Sequence, residues 1–181
     1  LLFELFASEK RLMPHLHLSL QHGHDLILKR MKRRHSRAQA VKLVSDLRAR
    51  RPDLAVGADL IAGFPTESDE HHEANLSIVR DLQIVHCHVF PYSPRDNTPA
   101  ARMPQVDRAI VKARAAELRA VAAATQAEWL ATLVDKPLSV LAERDGSGYA
   151  ENFARVALPE GMAAGTIATL TPRAIEGRLL V

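Results

Sequence analysis

Short apolar runs alternate with amphipathic stretches over the first hundred residues. Residues 1–7 read as the tail of a helix. Residues 15–20 alternate polar and apolar positions, the period of a strand, and residues 21–24 with Gly23 read as a loop. Residues 25–31 are a short helix with Asp25 at its positive end. Ser36 and Gln39 have capping-box spacing, and Val41, Val44 and Leu47, widened by Ala40 and Leu43, give the next helix one apolar face. Arg48, Arg50 and Arg51 crowd its last turn, and Pro52 ends it. Residues 54–62 form a second strand. Residues 69–82 form a helix with Leu76, Val79 and Leu82 on one side, and residues 84–90 a third strand closed by Pro91 and Pro94. The order strand–helix–strand–helix–strand predicts an α/β class with a parallel sheet and crossover helices. Three strands do not close a barrel; they fit an open sheet or part of a barrel.

Residues 107–134 are a long Ala-rich helix, with Val111, Ala115, Leu118, Ala122, Trp129 and Leu133 at helical spacing. It reads as a brace along the first unit that leads into a second. After Pro137 the pattern shortens. Leu138, Val140 and Ala142 alternate with other residues, Gly146-Ser147-Gly148 reads as a turn, and residues 149–158, 166–170 and 174–181 are strand candidates. Short strands at this density predict a small antiparallel barrel of the oligonucleotide-binding kind. The boundary falls near Asp135, giving units 1–134 and 135–181.

A length of 181 residues is enough to bury a core, and 47% hydrophobic with 25% charged residues is a globular composition. No apolar run approaches the roughly 20 residues of a membrane span, and no signal peptide is visible. The chain does not begin with Met, so a fragment is expected. Cys87 is the single cysteine, which excludes a disulfide framework and makes a reducing cytosol the default. The net charge of +3 is unevenly placed: Lys29, Arg30, Lys32, Arg33, Arg34 and Arg37 crowd one segment. Such a run is either a solvated face or an anion and nucleic-acid contact.

Ligands of parallel α/β folds sit at the carboxyl ends of the strands. The three ends here are Ser19-Leu20-Gln21-His22-Gly23, Gly63-Phe64-Pro65-Thr66-Glu67 and Phe90-Pro91-Tyr92-Ser93-Pro94-Arg95. In the second, Gly63 lets a ligand or another backbone approach closely. Together the loops offer amide, hydroxyl, carboxylate, guanidinium and aromatic groups around one mouth. His15 and His17 share one strand face, as do His86 and His88, and four imidazoles on adjacent strands would suit zinc. No His-x-x-x-His helical pair or Glu partner motif accompanies them, so hydrogen-bonded interior histidines are the ordinary reading and no metal site is assigned. Cys87 lies mid-strand, the setting of a structural cysteine.

Four segments resemble one family in order and spacing over nearly the whole chain. They are His17-Leu18-Ser19-Leu20-Gln21, Met31-Lys32-Arg33-Arg34-His35-Ser36, residues 57–67, and residues 90–95 with Thr98-Pro99-Ala100. The family is the methylthiotransferases of the radical S-adenosylmethionine (radical-SAM) superfamily. Residues 30–36 and 88–95 look most like its branch that places a methylthio group on the adenine of threonylcarbamoyladenosine beside the tRNA anticodon. Residues 135–181 resemble the family's TRAM domain, a small RNA-binding barrel. The resemblance implies a chain corresponding to the second half of the radical-SAM barrel plus TRAM. The preceding half would carry the auxiliary cluster domain and the Cys-x-x-x-Cys-x-x-Cys that binds the catalytic four-iron cluster. Without those thiolates the chain is expected to be inactive alone, and no catalytic residue is assigned within it.

By position, the resemblance implies S-adenosylmethionine contacts at Gln21, Gly23, Arg33, Ile61, Gly63, Phe90, Tyr92 and Arg95. Lys29, Arg30, Lys32, Arg34 and Arg37 become candidate tRNA contacts. Two departures stand out: His22 replaces the usual serine, and Asn97 the glycine usual before threonine. Asn tolerates positive φ, so that loop is expected to survive, while the His22 change is expected to alter the hydrogen bonding of its turn. The alternatives are a sibling branch acting on isopentenyladenosine or a ribosomal-protein aspartate, a non-catalytic RNA-binding module, and a histidine-based metal hydrolase. An incomplete barrel would expose strand edges and apolar surface, so poor solubility or oligomerisation is expected of the isolated chain.

Overall fold

The computed structural model describes residues 2–181; Leu1, the first residue of the expected opening helix, lies outside them. Three parallel strands in the order β1-β2-β3 form the first sheet: β1 His15–Gln21, β2 Ala55–Ala62 and β3 Ile84–Pro91. Helix α1 (Leu2–Ser8) precedes β1, α2 (Asp25–Arg30) and α3 (Arg37–Arg48) connect β1 to β2, and α4 (Asp69–Asp81) connects β2 to β3. The Ser36–Gln39 capping box is present as expected. Ser68 and His71 form a second one at α4 that the sequence reading passed over.

Strand alternation sorts the side chains onto two faces. Leu16, Leu18, Leu20, Val56, Ala58, Leu60, Ala62 and Cys87 pack with Val44 and Leu47 of α3, Leu76 and Val79 of α4, and Ala115 and Leu118 of the long helix. Leu60 has no exposed surface. The opposite face carries His15, His17, Gly57, Asp59, His86, His88 and Phe90; Trp129 of the long helix and Phe153 cover it at His86 and His15, while His88 and Phe90 are exposed. The register slips between Leu18 and Gln21, where Gln21 takes φ 71 at the strand end.

Helix α5 (Arg108–Ala131) is capped by the Asp107 carboxylate, which accepts from the Ala109 N–H. Ala115, Leu118 and Ala122 enter the first core, and Leu130 with Leu133 just beyond the helix enter a second. One helix thus contributes side chains to both cores.

Six strands follow: β4 Leu138–Ala142, β5 Ser147–Ala150, β6 Arg155–Ala157, β7 Ile167–Leu170, β8 Ile175–Glu176 and β9 Leu179–Leu180. Their order in the sheet is β7-β4-β5-β6-β9-β8. Three expectations need correction. Residues 149–158 are not one strand: the chain reverses after Ala150, where Asn152 Oδ1 accepts from the Ala154 N–H and Phe153 takes φ 65. Residues 174–181 are likewise split, by Gly177 at φ 63. Ser147 and Gly148 belong to β5, not to the turn. The sheet is also mixed, because β9 pairs parallel with β6.

Candidate functional site

The ends of the three parallel strands surround a cavity of about 510 Å³ lined by Gln21, Asp59, Ile61, Phe90, Tyr92 and Arg95, among others. Phe90 is half exposed to it. The Tyr92 N–H donates to the Ala62 carbonyl at 2.8 Å, which extends the β2–β3 pairing into the loop. Its ring meets Phe64 edge-on at 5.3 Å. The Tyr92 hydroxyl is covered yet has no hydrogen-bond partner among the described residues. A covered polar atom without a partner is rare and fits a position that a bound ligand completes. Desolvation raises the pKa of this phenol. Arg95 forms no ion pair among the described residues. Asn97 takes φ 64, so the loop keeps the left-handed turn that glycine would supply.

Gly23 and Gly63 are absent from the cavity lining. A Cβ on Gly23 would lie 2.1 Å from the Ala74 carbonyl oxygen of α4, and one on Gly63 2.5 Å from a Val111 methyl of α5. Both glycines let a loop close onto a helix. The close approach expected at Gly63 is thus made by a side chain. Arg33 reaches back to β1, donating to the Ser19 carbonyl at 2.6 Å.

A buried network that the sequence reading missed holds the first two loops together. The Glu67 carboxylate accepts from His22 Nε2 at 3.1 Å, from the Gly63 N–H at 3.0 Å and from Arg114 of α5 at 3.1 Å. His22 Nδ1 accepts from the His24 N–H at 3.0 Å, so its proton lies on Nε2 and the ring is neutral. Burial lowers the His22 pKa against the pull of Glu67. Burial alone would raise that of Glu67, but His22, Arg114 and the Gly63 N–H outweigh it and hold the carboxyl below its usual range. The His22 turn is therefore fully bonded despite its departure from serine. The legible signal was a charged residue, Glu67, at the close of an otherwise apolar loop.

The basic run divides. Lys29, Lys32, Arg33 and Arg34 are exposed. Arg30 donates to Thr66 Oγ1 at 2.6 Å. Arg37 departs from the expected free surface: it turns inward to the carbonyls of Gly23 and Ala74 at 3.0 and 2.8 Å, to Ser77 and to Asp81. Its guanidinium ties the first loop to α4.

The two histidine-bearing strands are not adjacent, because β2 lies between them. His15 and His86 belong to the floor of the histidine-bearing face. His86 Nε2 donates to the Asn152 carbonyl at 3.1 Å, and its ring meets Trp129 at 5.2 Å. The His15 ring lies 4.5 Å from that of Phe153. Burial, then His86 and His17, push the His15 pKa down to about 4. Higher on the same face, His17 and His88 converge on Asp59, a residue the sequence reading did not single out. Cys87 points to the helix side, where burial and then Asp59 push its thiol up to about 12. It does not fit an iron–sulfur ligand, which must be a thiolate.

Residues 2–77 match the radical SAM superfamily. Over those residues the chain is similar to that superfamily. It is 45% identical over 166 residues to a threonylcarbamoyladenosine tRNA methylthiotransferase of Rickettsia prowazekii (strain Madrid E), covering 92% of this chain and 39% of the relative. It is 41% identical over 145 residues to a tRNA-2-methylthio-N(6)-dimethylallyladenosine synthase of Orientia tsutsugamushi (strain Ikeda), covering 80% of this chain and 32% of that protein. The same figure of 41%, over 146 residues, holds for the synthase of that name from Maricaulis maris (strain MCS10). The chain thus spans about a third to two fifths of the length of these curated relatives. Among its described residues no helix is long and apolar enough to cross a membrane.

Proposed function

We propose that this chain supplies one wall of an S-adenosylmethionine pocket and a tRNA-holding surface within a radical-SAM tRNA methylthiotransferase of the cytoplasm. The observation that carries the reading is the cavity at the three strand ends, with its aromatic, amide, carboxylate and guanidinium lining and the partnerless Tyr92 hydroxyl. Such a lining suits a ligand with a flat base, a polar sugar and a charged amino-acid end. Ile61 and Phe90 would face the base, Gln21 and Tyr92 would give hydrogen bonds, and Arg95 would take the carboxylate, while Arg33, outside the lining and bonded to the Ser19 carbonyl, would act indirectly through β1. Gly23 and Gly63 would act indirectly, by fixing the loops. When bound beside a reduced cluster, S-adenosylmethionine supplies the radical chemistry and the methyl group. The single cysteine of the chain does not fit the cluster, so the cluster ligands belong elsewhere in the intact enzyme and the chain alone is inactive.

The substrate reading is threonylcarbamoyladenosine in tRNA, methylthiolated at C2. The similarity to the Rickettsia protein of that name supports it. Lys29, Arg30, Lys32 and Arg34 offer positive charge to RNA, and residues 135–181 act as a TRAM-like RNA-binding barrel. Titration of the chain with S-adenosylmethionine should saturate, and Arg95→Ala or Tyr92→Phe should weaken it by at least about tenfold. Absence of saturable binding both here and in the intact protein would remove the reading. Nucleoside mass spectrometry of tRNA treated with the intact enzyme assigns the branch. A product on dimethylallyladenosine instead would move the chain to the sibling branch. Affinity for tRNA should fall by about 0.9 log unit per log unit of salt for each duplex phosphate neutralised. Charge reversal at Lys29, Lys32 and Arg34 should flatten that slope.

A further inference from the structure

In the middle of the histidine-bearing face, three polar side chains from three adjacent strands meet at one point. His17 Nε2 of β1 and His88 Nδ1 of β3 each lie 3.1 Å from the same oxygen, Asp59 Oδ1 of β2. All three potential ligand atoms fall within 4.8 Å of one another. Asp59 pairs with His88 in the parallel register, so the backbone ladder itself sets their spacing. A Cβ on Gly57, the preceding residue of that face, would lie 2.5 Å from His17 Nδ1. The missing side chain is therefore what lets the His17 ring lie against the sheet. His86 is not available to the cluster through Nε2, because that atom already serves the Asn152 carbonyl.

We propose that His17, Asp59 and His88 bind one divalent transition-metal cation of the zinc class. Two imidazoles and one carboxylate are a nitrogen-and-oxygen donor set of that class, whereas magnesium and calcium take oxygen ligands. Donors about 2.0–2.1 Å from a tetrahedral ion lie about 3.3 Å apart, close to the 3.1 Å that each imidazole nitrogen already keeps from Asp59 Oδ1. An ion would replace the two imidazole protons that now face Asp59 Oδ1. The His88 side chain is 65% exposed, so an ion can reach the cluster from solvent. The site uses no cysteine and shares Asp59 with the cavity at the strand ends, and its test does not depend on the methylthiotransferase reading.

The test uses the tag-free chain, stripped with chelator and titrated with cobalt(II), whose visible bands report tetrahedral nitrogen and oxygen ligation, followed by zinc competition. One equivalent is expected. Asp59→Asn and His88→Gln should each weaken it beyond the roughly 10–100-fold that loss of an outer-shell partner costs. His15→Gln should leave it within about twofold, since that ring lies outside the cluster. Far-UV circular dichroism confirms that each variant is folded, and either of the two ligand variants suffices. If cobalt does not bind saturably, or binds Asp59→Asn and His88→Gln as tightly as the parent, the site is refuted and Asp59 is only a shared hydrogen-bond acceptor.

Discussion

The two faces of the three-stranded sheet are built from alternate residues of the same strands, yet they do opposite work. The helix side buries Leu20, Val56, Leu60 and Ala62 and fixes the fold. The histidine-bearing side, one residue away at every step, presents imidazoles, a carboxylate and an aromatic ring. Stability and chemistry are thus separated by strand parity rather than by distance along the chain. Substitutions on the helix side should change stability, and those on the histidine-bearing side should change binding.

The largest expected effect lies where the helix side closes the loops. Glu67→Ala leaves the buried His22 without its acceptor and Arg114 with only Asp69 and the residue-67 carbonyl, and should cost about 3–5 kcal/mol in denaturant unfolding. A loss under about 1 kcal/mol would mean that water reaches the network. Next, Leu60→Ala should cost about 2–5 kcal/mol, against about 1 kcal/mol or less for its neighbour Asp59→Ala. Equal losses at the two positions would end the parity argument.

Gly57→Ala crosses the boundary between the faces. Its methyl would press on His17 and should cost about 1–3 kcal/mol. Adding His17→Ala should restore most of that loss; a purely additive double variant would show that the His86 backbone, not the His17 ring, is what resists.

Acidity should act through imidazoles that folding makes harder to protonate. His15 is pushed down to about 4, and His22 and His86 are lowered too. The unfolded chain then binds these protons more readily, so stability is full above the free-imidazole value of about 6.5 and declines as pH falls from there toward 4. The lowered Glu67 carboxyl extends the loss through the carboxylate range. Urea midpoints at about pH 7.5, 6 and 5 should fall in that order, and less steeply in His15→Gln. The smallest effect is kinetic. Cys87, its thiol pushed up to about 12, should react with a disulfide reagent only after unfolding. Rapid reaction in the native state would show that the helix side opens.

Much of this was legible in sequence because it is local. The strand alternation of residues 15–20, the Ser36–Gln39 cap and the Pro52 stop each depend on neighbours a few residues apart. The convergence of Gln21, Ile61, Phe90, Tyr92 and Arg95 followed from one topological rule about strand ends. What escaped depends on pairings distant in sequence. Arg37 looks like a member of a basic run until Asp81 and two α4-facing carbonyls claim it. Asp59 sits in a strand and gains meaning only when β1 and β3 flank it. The reversal at residues 151–154 was hidden because it contains no glycine, and Phe153 takes the left-handed conformation in its place.

Strand β9 lies between β6 and β8, where Leu180 is wholly buried and pairs with Val156 and Ile175. During synthesis, β6 must therefore wait for its neighbour until residues 179 and 180 have been made. Successive hairpins alone do not complete this core, so the nascent unit keeps an unfilled strand slot while it is being translated. A pause or a stop codon just ahead of Leu179 would leave that slot open to a strand from another chain.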